Sequence, residues 1–136
     1  MKTVITFGTY DLLHIGHINI LNRSGEYGDK LVVGVSSDAL NYKKKKKYPI
    51  YTESDRMNII NNIKIVDEVF LEESLELKKD YILKYNADIL IMGDDWEGKF
   101  DHLNNICQVI YLPRTKEIST TETIDTIVNE FGPMGK

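Results

Sequence analysis

Cysteine is almost absent from this chain, which has one such residue, Cys107, in 136. A single cysteine cannot form an intramolecular disulfide or a zinc site built from several thiolates, so neither supports the fold. No apolar run approaches the length of a membrane span, and polar Thr3 and Thr6 interrupt the N-terminal segment where a signal peptide would be apolar. The sequence therefore predicts a cytoplasmic protein in which Cys107 is a small buried hydrophobic residue.

Positive charge is also in short supply, because Lys and Arg number 17 against 21 for Asp and Glu, a formal net charge of −4. A mildly acidic chain lacks the basic surface on which broad, non-specific nucleic-acid binding depends. Five of the basic residues nevertheless form one run, Lys43 to Lys47. Such runs are commonly solvated loops, but this one also concentrates positive charge where an anionic ligand could bind.

Five apolar segments of strand length alternate with segments of helical periodicity. The strand candidates are residues 3–7, 30–36, 66–71, 87–92 and 108–112, and the helix candidates are residues 16–26, 53–65, 75–85 and 121–131. Near-continuous hydrophobic strands are typical of a parallel sheet buried on both faces, and the alternation predicts right-handed βαβ units. We therefore expect an α/β fold: a single Rossmann-like domain over residues 1–131, with a five-stranded parallel sheet, helices on both faces and a flexible tail at 132–136. In such sheets ligands bind beyond the carboxyl ends of the strands.

The segment after the first strand, residues 8–17, combines glycines with two histidines. Gly8 allows a sharp turn and a close approach of ligand to backbone. If a helix begins near His14 or Gly16, His14 and His17 share one face at a helix N-terminus, where free N–H groups favour an anion. This pattern predicts a phosphate cradle. Two histidines could also bind zinc, but H-E-x-x-H and suitably spaced Cys or Glu partners are missing. The isolated His102 is interpreted as an ordinary polar residue.

Three segments carry a family resemblance. His14-Ile-Gly-His17 is the H-I-G-H signature of a nucleotidyltransferase superfamily, and residues 4–17, 92–101 and 111–121 resemble the corresponding motifs of its cytidylyltransferase branch. Three motifs in order at strand ends are far more specific than H-I-G-H alone. Over residues 1–128 the chain is most similar to the glycerol-3-phosphate cytidylyltransferases.

The resemblance implies a reaction in which CTP and a small phosphorylated alcohol give a CDP-linked product and pyrophosphate. It implies Mg²⁺ as cofactor, no covalent intermediate, a homodimer, and a role in the synthesis of a cell-surface polymer. Charge builds up on the α-phosphoryl oxygens and on the departing pyrophosphate, so positioning and hydrogen-bond donors supply most of the catalysis.

The resemblance also implies roles for particular residues. The implied catalytic residues are His14, His17, Lys44, Lys46 and Arg114. The implied nucleotide-binding residues are Thr9, Tyr10, Gly16, Asp94, Arg114, Thr115, Ser119 and Thr120. The implied acceptor-binding residues are Asp38, Lys44, Lys46 and Arg56. Asp11 is a candidate for holding Mg²⁺ or a histidine.

Several of these residues have a second interpretation. Arg56 is equally consistent with a surface cation on a helix, and Trp96 with a structural residue. Paired Asp94 and Asp95 could act in acid–base catalysis, although an ionised phosphate acceptor needs no strong base. Ser119 is predicted to begin a helix whose N–H groups meet the β- and γ-phosphates.

Differences from the family pattern concern the acceptor. Lys116-Glu117 replaces Glu-Gly, Ile15 replaces an aromatic residue, and Leu75 stands where tryptophan is common. Glycerol 3-phosphate is the first-choice acceptor, and a phosphoramidate of the phosphoglutamine type is the alternative. An adenylyltransferase, a catalytically inactive nucleotide-binding module and a structural metal-binding protein are the remaining hypotheses.

Overall fold

The computed structural model describes residues 1–114 and 119–132. The strands are β1 (Thr3–Gly8), β2 (Lys30–Ser36), β3 (Glu68–Glu72), β4 (Ile89–Gly93) and β5 (Gln108–Leu112). The helices are α1 (Ile15–Gly25), α2 (Asp38–Lys45), α3 (Glu53–Asn61), α4 (Lys78–Lys84) and α5 (Thr120–Phe131). Short 3-10 helices cover Leu75–Leu77, Asp94–Trp96 and Asp101–Asn105.

The five strands form one parallel sheet in the order β3-β2-β1-β4-β5. β1 is the central strand, with β2 on one side and β4 on the other. The order of the strands reverses at β1, so the loops that follow β1 and β4 diverge and open a crevice at the carboxyl edge. The predicted α/β fold with a five-stranded parallel sheet is confirmed.

Alternate residues of each strand enter two separate cores, one on each face of the sheet. On one face, Val4 and Val33 pack with Leu21 of α1 and Ile60 of α3. On the other face, the core contains the following residues of the strands, α4 and the 3-10 segments: Ile5, Phe7, Val32, Phe70, Ile82, Leu90, Met92, Phe100 and Leu103. Both faces are therefore covered, which explains why the strands are hydrophobic without alternation. No helix within residues 1–114 and 119–132 is long and apolar enough to cross a membrane.

The lysine run differs most from expectation, because Lys43–Lys45 form the last turn of helix α2 rather than a loop. Ser37 caps this helix by accepting a hydrogen bond from the Leu40 backbone N–H at 3.0 Å. The helix ends at Lys45, and the next residue, Lys46, has a left-handed φ of 59°. Cations in the last turn favour a helix because they interact with its negative C-terminal dipole.

Two other boundaries differ from the prediction. α3 ends at Asn61 rather than at residue 65, and the predicted helix over residues 75–85 is a 3-10 turn followed by α4. Gly132 ends α5, as predicted, and residues 133–136 of the predicted tail lie outside the described residues.

Candidate active site

A cavity of about 520 Å³ lies at the carboxyl edge of the sheet. Its walls come from the loop after β1, the beginning of α1, the end of β4 and the first turn of α5. One side is lined by Lys45 and by residues 47–49. The predicted phosphate cradle therefore lies where a doubly wound sheet places its ligand.

His14 and His17 are held by the backbone at the start of α1. His14 is the N-cap residue, and its Nδ1 accepts a hydrogen bond from the Gly16 N–H at 3.1 Å. Nδ1 of His17 accepts one from the His14 N–H, also at 3.1 Å. Because each Nδ1 is an acceptor, each neutral ring carries its hydrogen on Nε2. The two rings stack with centroids 3.9 Å apart and line the cavity together with Gly16.

Both imidazoles are kept neutral by their surroundings. The pKa of His17 is lowered to about 4, mainly by burial and then by the neighbouring His14, while Asp11 opposes the shift. The pKa of His14 is also lowered, by burial and then by the positive charge of Arg114. Near neutral pH the pair can therefore donate two Nε2–H hydrogen bonds to phosphoryl oxygens without changing charge.

Tyr10 packs against the histidine pair through its contact with His17. It has a left-handed φ of 56°, and its ring folds back over Gly8, where an added Cβ would lie 2.7 Å from Tyr10 Cζ. The same ring meets His17 edge-on, with centroids 5.6 Å apart. Tyr10 lines the cavity but is only 5 % exposed, and burial raises its pKa, so the hydroxyl stays neutral. The predicted nucleotide-binding Tyr10 thus also positions a catalytic candidate.

Thr9, another predicted nucleotide-binding residue, lines the cavity next to Tyr10. Its hydroxyl donates to Asn41 Oδ1 at 2.9 Å and lies 3.0 Å from the Ser36 hydroxyl. These contacts connect the loop after β1 to the end of β2 and to α2.

A second helix N-terminus faces the cavity. Ser119 caps α5 by accepting a hydrogen bond from the Glu122 N–H at 3.0 Å, which confirms the predicted helix start. The Thr120 hydroxyl donates to the Asp11 carbonyl at 2.7 Å and joins α5 to the loop after β1. Ser119, Thr120 and the exposed Arg114 line the cavity. Thr115 and the Lys116-Glu117 difference lie outside the described residues.

The lysines that meet the cavity are not the two that the sequence favoured. Lys45 and Lys47 line the cavity, whereas Lys44 and Lys46 do not. Lys44 Nζ lies 5.9 Å from the ring centroid of Trp96, itself a lining residue, and burial lowers the pKa of Lys44. Because all five residues are lysines, the direction in which each side chain points from α2 decides which of them meets the cavity. A loop prediction does not specify these directions.

Arg56 corrects an expectation. The sequence placed it at the acceptor or, alternatively, on the surface, but its side chain is fully buried and does not line the cavity. Its guanidinium donates to the carbonyls of Tyr51, Thr9 and Ser36 at 3.0, 2.9 and 2.8 Å. It also donates to Asp38 Oδ1 at 2.7 Å. Arg56 and Asp38 therefore hold neighbouring segments together, and neither lines the cavity.

The segment after β4 contributes Asp95 rather than Asp94. Asp95 and Trp96 line the cavity, and Asp94 does not. The Asp95 carboxylate lies over Gly93, where an added Cβ would be 2.7 Å from Oδ1. Trp96 packs on Phe100 with centroids 5.4 Å apart, so it has both a structural contact and a face toward the site.

Asp11 lines the cavity, and its carboxylate is engaged by the backbone. It is 7 % exposed, and its carboxylate accepts hydrogen bonds from the backbone N–H groups of Leu12, Ile50 and Tyr51. Within residues 1–114 and 119–132, no group of three or more His, Cys, Asp or Glu side chains is arranged to hold a metal ion.

Two helix N-termini, two neutral histidines and several cations surround one cavity, and this combination is suited to binding phosphate groups. On a doubly wound sheet, this is the site of a nucleotide-binding α/β protein. Comparisons with known proteins narrow the class. The Cytidylyltransferase-like family model matches residues 5–126, so the chain belongs to the cytidylyltransferase-like family.

Relatives cover almost the whole chain. Glycerol-3-phosphate cytidylyltransferase of Bacillus subtilis (strain 168) is 50 % identical over 127 residues, which are 93 % of this chain and 98 % of the relative. The enzyme of the same name from Staphylococcus aureus is 48 % identical over 122 residues, which are 90 % of this chain and 92 % of the relative. The crystal structure of the lipopolysaccharide core biosynthesis protein from Thermoplasma volcanium GSS1 has a TM-score of 0.71 at 27 % identity, over 85 % of this chain and 98 % of that one.

Proposed function

We propose that this protein is a CTP-dependent nucleotidyltransferase that transfers CMP from CTP to glycerol 3-phosphate, giving CDP-glycerol and pyrophosphate. The observation that carries the proposal is the pair of neutral histidines, whose Nδ1 atoms are both hydrogen-bonded to backbone N–H groups at the start of α1. The identity of 48–50 % to glycerol-3-phosphate cytidylyltransferases supports the acceptor.

The reaction requires an acceptor phosphate oxygen to attack the α-phosphorus of CTP as the bond to pyrophosphate breaks. The Nε2–H groups of His14 and His17 would donate to the α-phosphoryl oxygens, which gain charge in the transition state. The N-terminus of α5 and Arg114 would hold the β- and γ-phosphates. Lys45 and Lys47 would offset the repulsion between the two anionic substrates.

Nucleotide binding by the remaining residues is part of the same proposal. Thr9, Gly16 and Thr120 would contact the phosphates, and the segment at Asp94 and Asp95 would lie along the nucleoside. Thr115 would join Arg114 at the phosphates. Lys44 would bind a substrate phosphate from its position beside Trp96, where its Nζ lies 5.9 Å from the ring centroid.

Mg²⁺ is proposed as a cofactor that arrives with the nucleotide. Mg²⁺ commonly keeps several waters and is bound by one or two carboxylates together with substrate phosphates. Backbone N–H groups already use three of the about four acceptor sites of the Asp11 carboxylate, which disfavours Asp11 as a metal ligand. When bound, the ion would neutralise charge on the phosphates of CTP.

The test is pyrophosphate release from CTP in the presence of a panel of phosphorylated acceptors. We expect product with glycerol 3-phosphate, and more thermal stabilisation by CTP than by ATP. If product formed only with a phosphoramidate acceptor, glycerol 3-phosphate would be the wrong acceptor, but the reaction would still be cytidylyl transfer. Stronger stabilisation by ATP, or no pyrophosphate with any acceptor, would contradict cytidylyl transfer.

A cytoplasmic location, a role in cell-surface polymer synthesis and a homodimer belong to the same proposal. CTP is an intracellular substrate, and a CDP-linked alcohol is an activated precursor for a polymer. The exposed apolar side chains of Ile127, Val128 and Phe131 on α5 support a dimer, since they are 49, 60 and 76 % exposed in the single chain. A monomer mass by light scattering would contradict the dimer.

A further inference from the structure

The segment between α2 and α3, residues 46–52, is here called the connector. It contains no helix or strand, yet it places Lys47, Tyr48 and Pro49 at the cavity. A lysine on an unsupported segment would spend little time at one position, because backbone freedom is lost only where contacts compensate for it. The contacts that hold the connector therefore decide whether its cation is positioned for substrate.

Asp11 supplies one of these contacts. Its Oδ2 accepts a hydrogen bond from the Ile50 N–H at 2.7 Å, and its Oδ1 accepts one from the Tyr51 N–H at 2.9 Å. Two consecutive backbone N–H groups thus meet the two oxygens of one buried carboxylate, across about 40 positions of sequence. Hydrogen bonds to an ionised acceptor are stronger than those between neutral groups.

Arg56 binds the carbonyl of the same residue, Tyr51. Its Nε donates to the Tyr51 carbonyl at 3.0 Å, and its Nη1 donates to the Thr9 carbonyl at 2.9 Å. The Tyr51 backbone is therefore bonded through both its N–H and its carbonyl. Both bonds lead back to the loop after β1, which joins β1 to the start of α1, where His14 and His17 lie.

We propose that Asp11 is a positioning residue that fixes the connector to the loop after β1 and so holds Lys47 at the cavity. This role rests on the proposed function, and it replaces a direct role for Asp11 at the metal. The carboxylate acts through the Ile50 and Tyr51 backbone and touches no reacting atom. The Thr120 hydroxyl bound to the Asp11 carbonyl extends the same attachment to the start of α5.

Asp11→Asn tests the proposal, because it keeps the size of the side chain and removes one acceptor oxygen together with the charge. Asp88→Asn is the matched control, since Asp88 Oδ2 accepts the Thr3 N–H at 2.8 Å at the opposite edge of the sheet. In Asp11→Asn we expect the Ile50 and Tyr51 amides to exchange with solvent at least about tenfold faster. We also expect KM for the phosphorylated substrates to rise about tenfold, with an unchanged Mg²⁺ midpoint.

The direction of the change in KM distinguishes loss of positioning from loss of the negative charge of Asp11. Removing a negative charge close to an anion site would by itself favour the substrates and lower KM. Asp88→Asn should change neither KM nor the exchange of these two amides. If Asp11→Asn raised the Mg²⁺ midpoint and excess Mg²⁺ restored its activity, Asp11 would be a metal ligand and the proposal would be wrong.

Two further measurements keep the proposal testable if Asp11→Asn does not fold or if the wild-type protein has no activity. Asp11→Glu keeps the charge and a possible metal ligand but displaces both oxygens, so it should show the same faster exchange and higher KM. In the wild-type protein without Mg²⁺, the Ile50 and Tyr51 amides should already be protected at least about tenfold. Unprotected amides would refute the attachment, whereas protected amides in a protein inactive toward CTP would refute only the proposed function.

Discussion

Acidification should destabilise this protein through His17, and substitution of that residue should reveal how much. His17 lies in the first turn of α1 with its Nδ1 occupied by the His14 N–H, and burial lowers its pKa from 6.5 to about 4. Between these two pH values the unfolded chain binds a proton that the folded protein rejects. The stability contribution is therefore complete above about pH 6.5 and is lost as the pH falls toward 4.

The magnitude follows from the size of the shift. A displacement of this size corresponds to at most about 3 kcal/mol once the pH has fallen below the folded-state pKa. His17 is only partly buried, so screening by solvent reduces the expected effect to about 1–2 kcal/mol. For a domain of this length, that energy corresponds to roughly 3–8 °C in Tm.

The assay is thermal unfolding of wild-type protein and of His17→Gln at a series of pH values from about 7.5 to 4.5. The variant loses the titrating ring, so its Tm should fall by several degrees less than that of the wild type over this range. His102→Gln is the control, because it removes an exposed histidine outside the cavity. The carboxylates titrate in both proteins, so the difference between the two slopes of Tm against pH reports His17 alone.

Parallel curves for wild type and His17→Gln would refute the reasoning. They would mean that the imidazole has the same proton affinity in the folded and unfolded chains. A wild-type protein that became more stable on acidification would reverse the sign of the linkage, and the assignment of a neutral Nε2–H donor would then fail as well.

Two other substitutions test neighbouring features. Gly8→Ala should cost about 1–3 kcal/mol and lower kcat, because the new Cβ would lie 2.7 Å from the Tyr10 ring that supports His17; an unchanged Tm and kcat would contradict this packing. Glu72→Gln should cost about 3–5 kcal/mol in urea unfolding, because it leaves the buried Lys78 ammonium without its carboxylate. The double variant Glu72→Gln with Lys78→Met should recover most of that loss, and equal losses in the single and double variants would show that the ion pair is not the cause.

The hydrophobic pattern predicted the sheet well because each strand is buried on both faces. β2 and β5 have the predicted bounds, and the other strands differ from them by at most two residues at either end. Such segments are recognisable from their apolar composition alone, whatever their neighbours are. The same logic placed His14 and His17 at the carboxyl edge of the sheet, because they follow a buried strand and lie at the start of an amphipathic helix.

α2 was missed because five consecutive lysines have no apolar periodicity. The helix buries only Leu40 and Asn41 and depends on a Ser37 cap and on favourable charges in its last turn. Lys46, the residue after α2, has a left-handed φ, and Lys47 follows it at the cavity. The sequence therefore could not show which lysines meet the cavity, because that depends on where each one lies on or after α2.

The roles of Asp11 and Arg56 depend on partners that are distant in sequence. Arg56 is buried because carbonyls near residues 9, 36 and 51 converge on it, and Asp11 because two N–H groups about 40 positions away meet its oxygens. Burial of a charge is tolerated only when all of these partners are present together. No local pattern records such a convergence.

The central place of β1 in the sheet has a consequence for how the protein is made. The strand and its histidine loop leave the ribosome early, but β4, the second neighbour of β1, follows 85 positions later. At about 5–20 residues per second, the nascent chain waits roughly 4–17 s between the two. During that interval the Thr6 hydroxyl lacks the Ile91 carbonyl to which it donates at 2.7 Å, and one edge of β1 is open. The cavity, whose walls include the end of β4 and the first turn of α5, is therefore among the last parts of this protein to form, although the histidine motif that lines it is among the first to be translated.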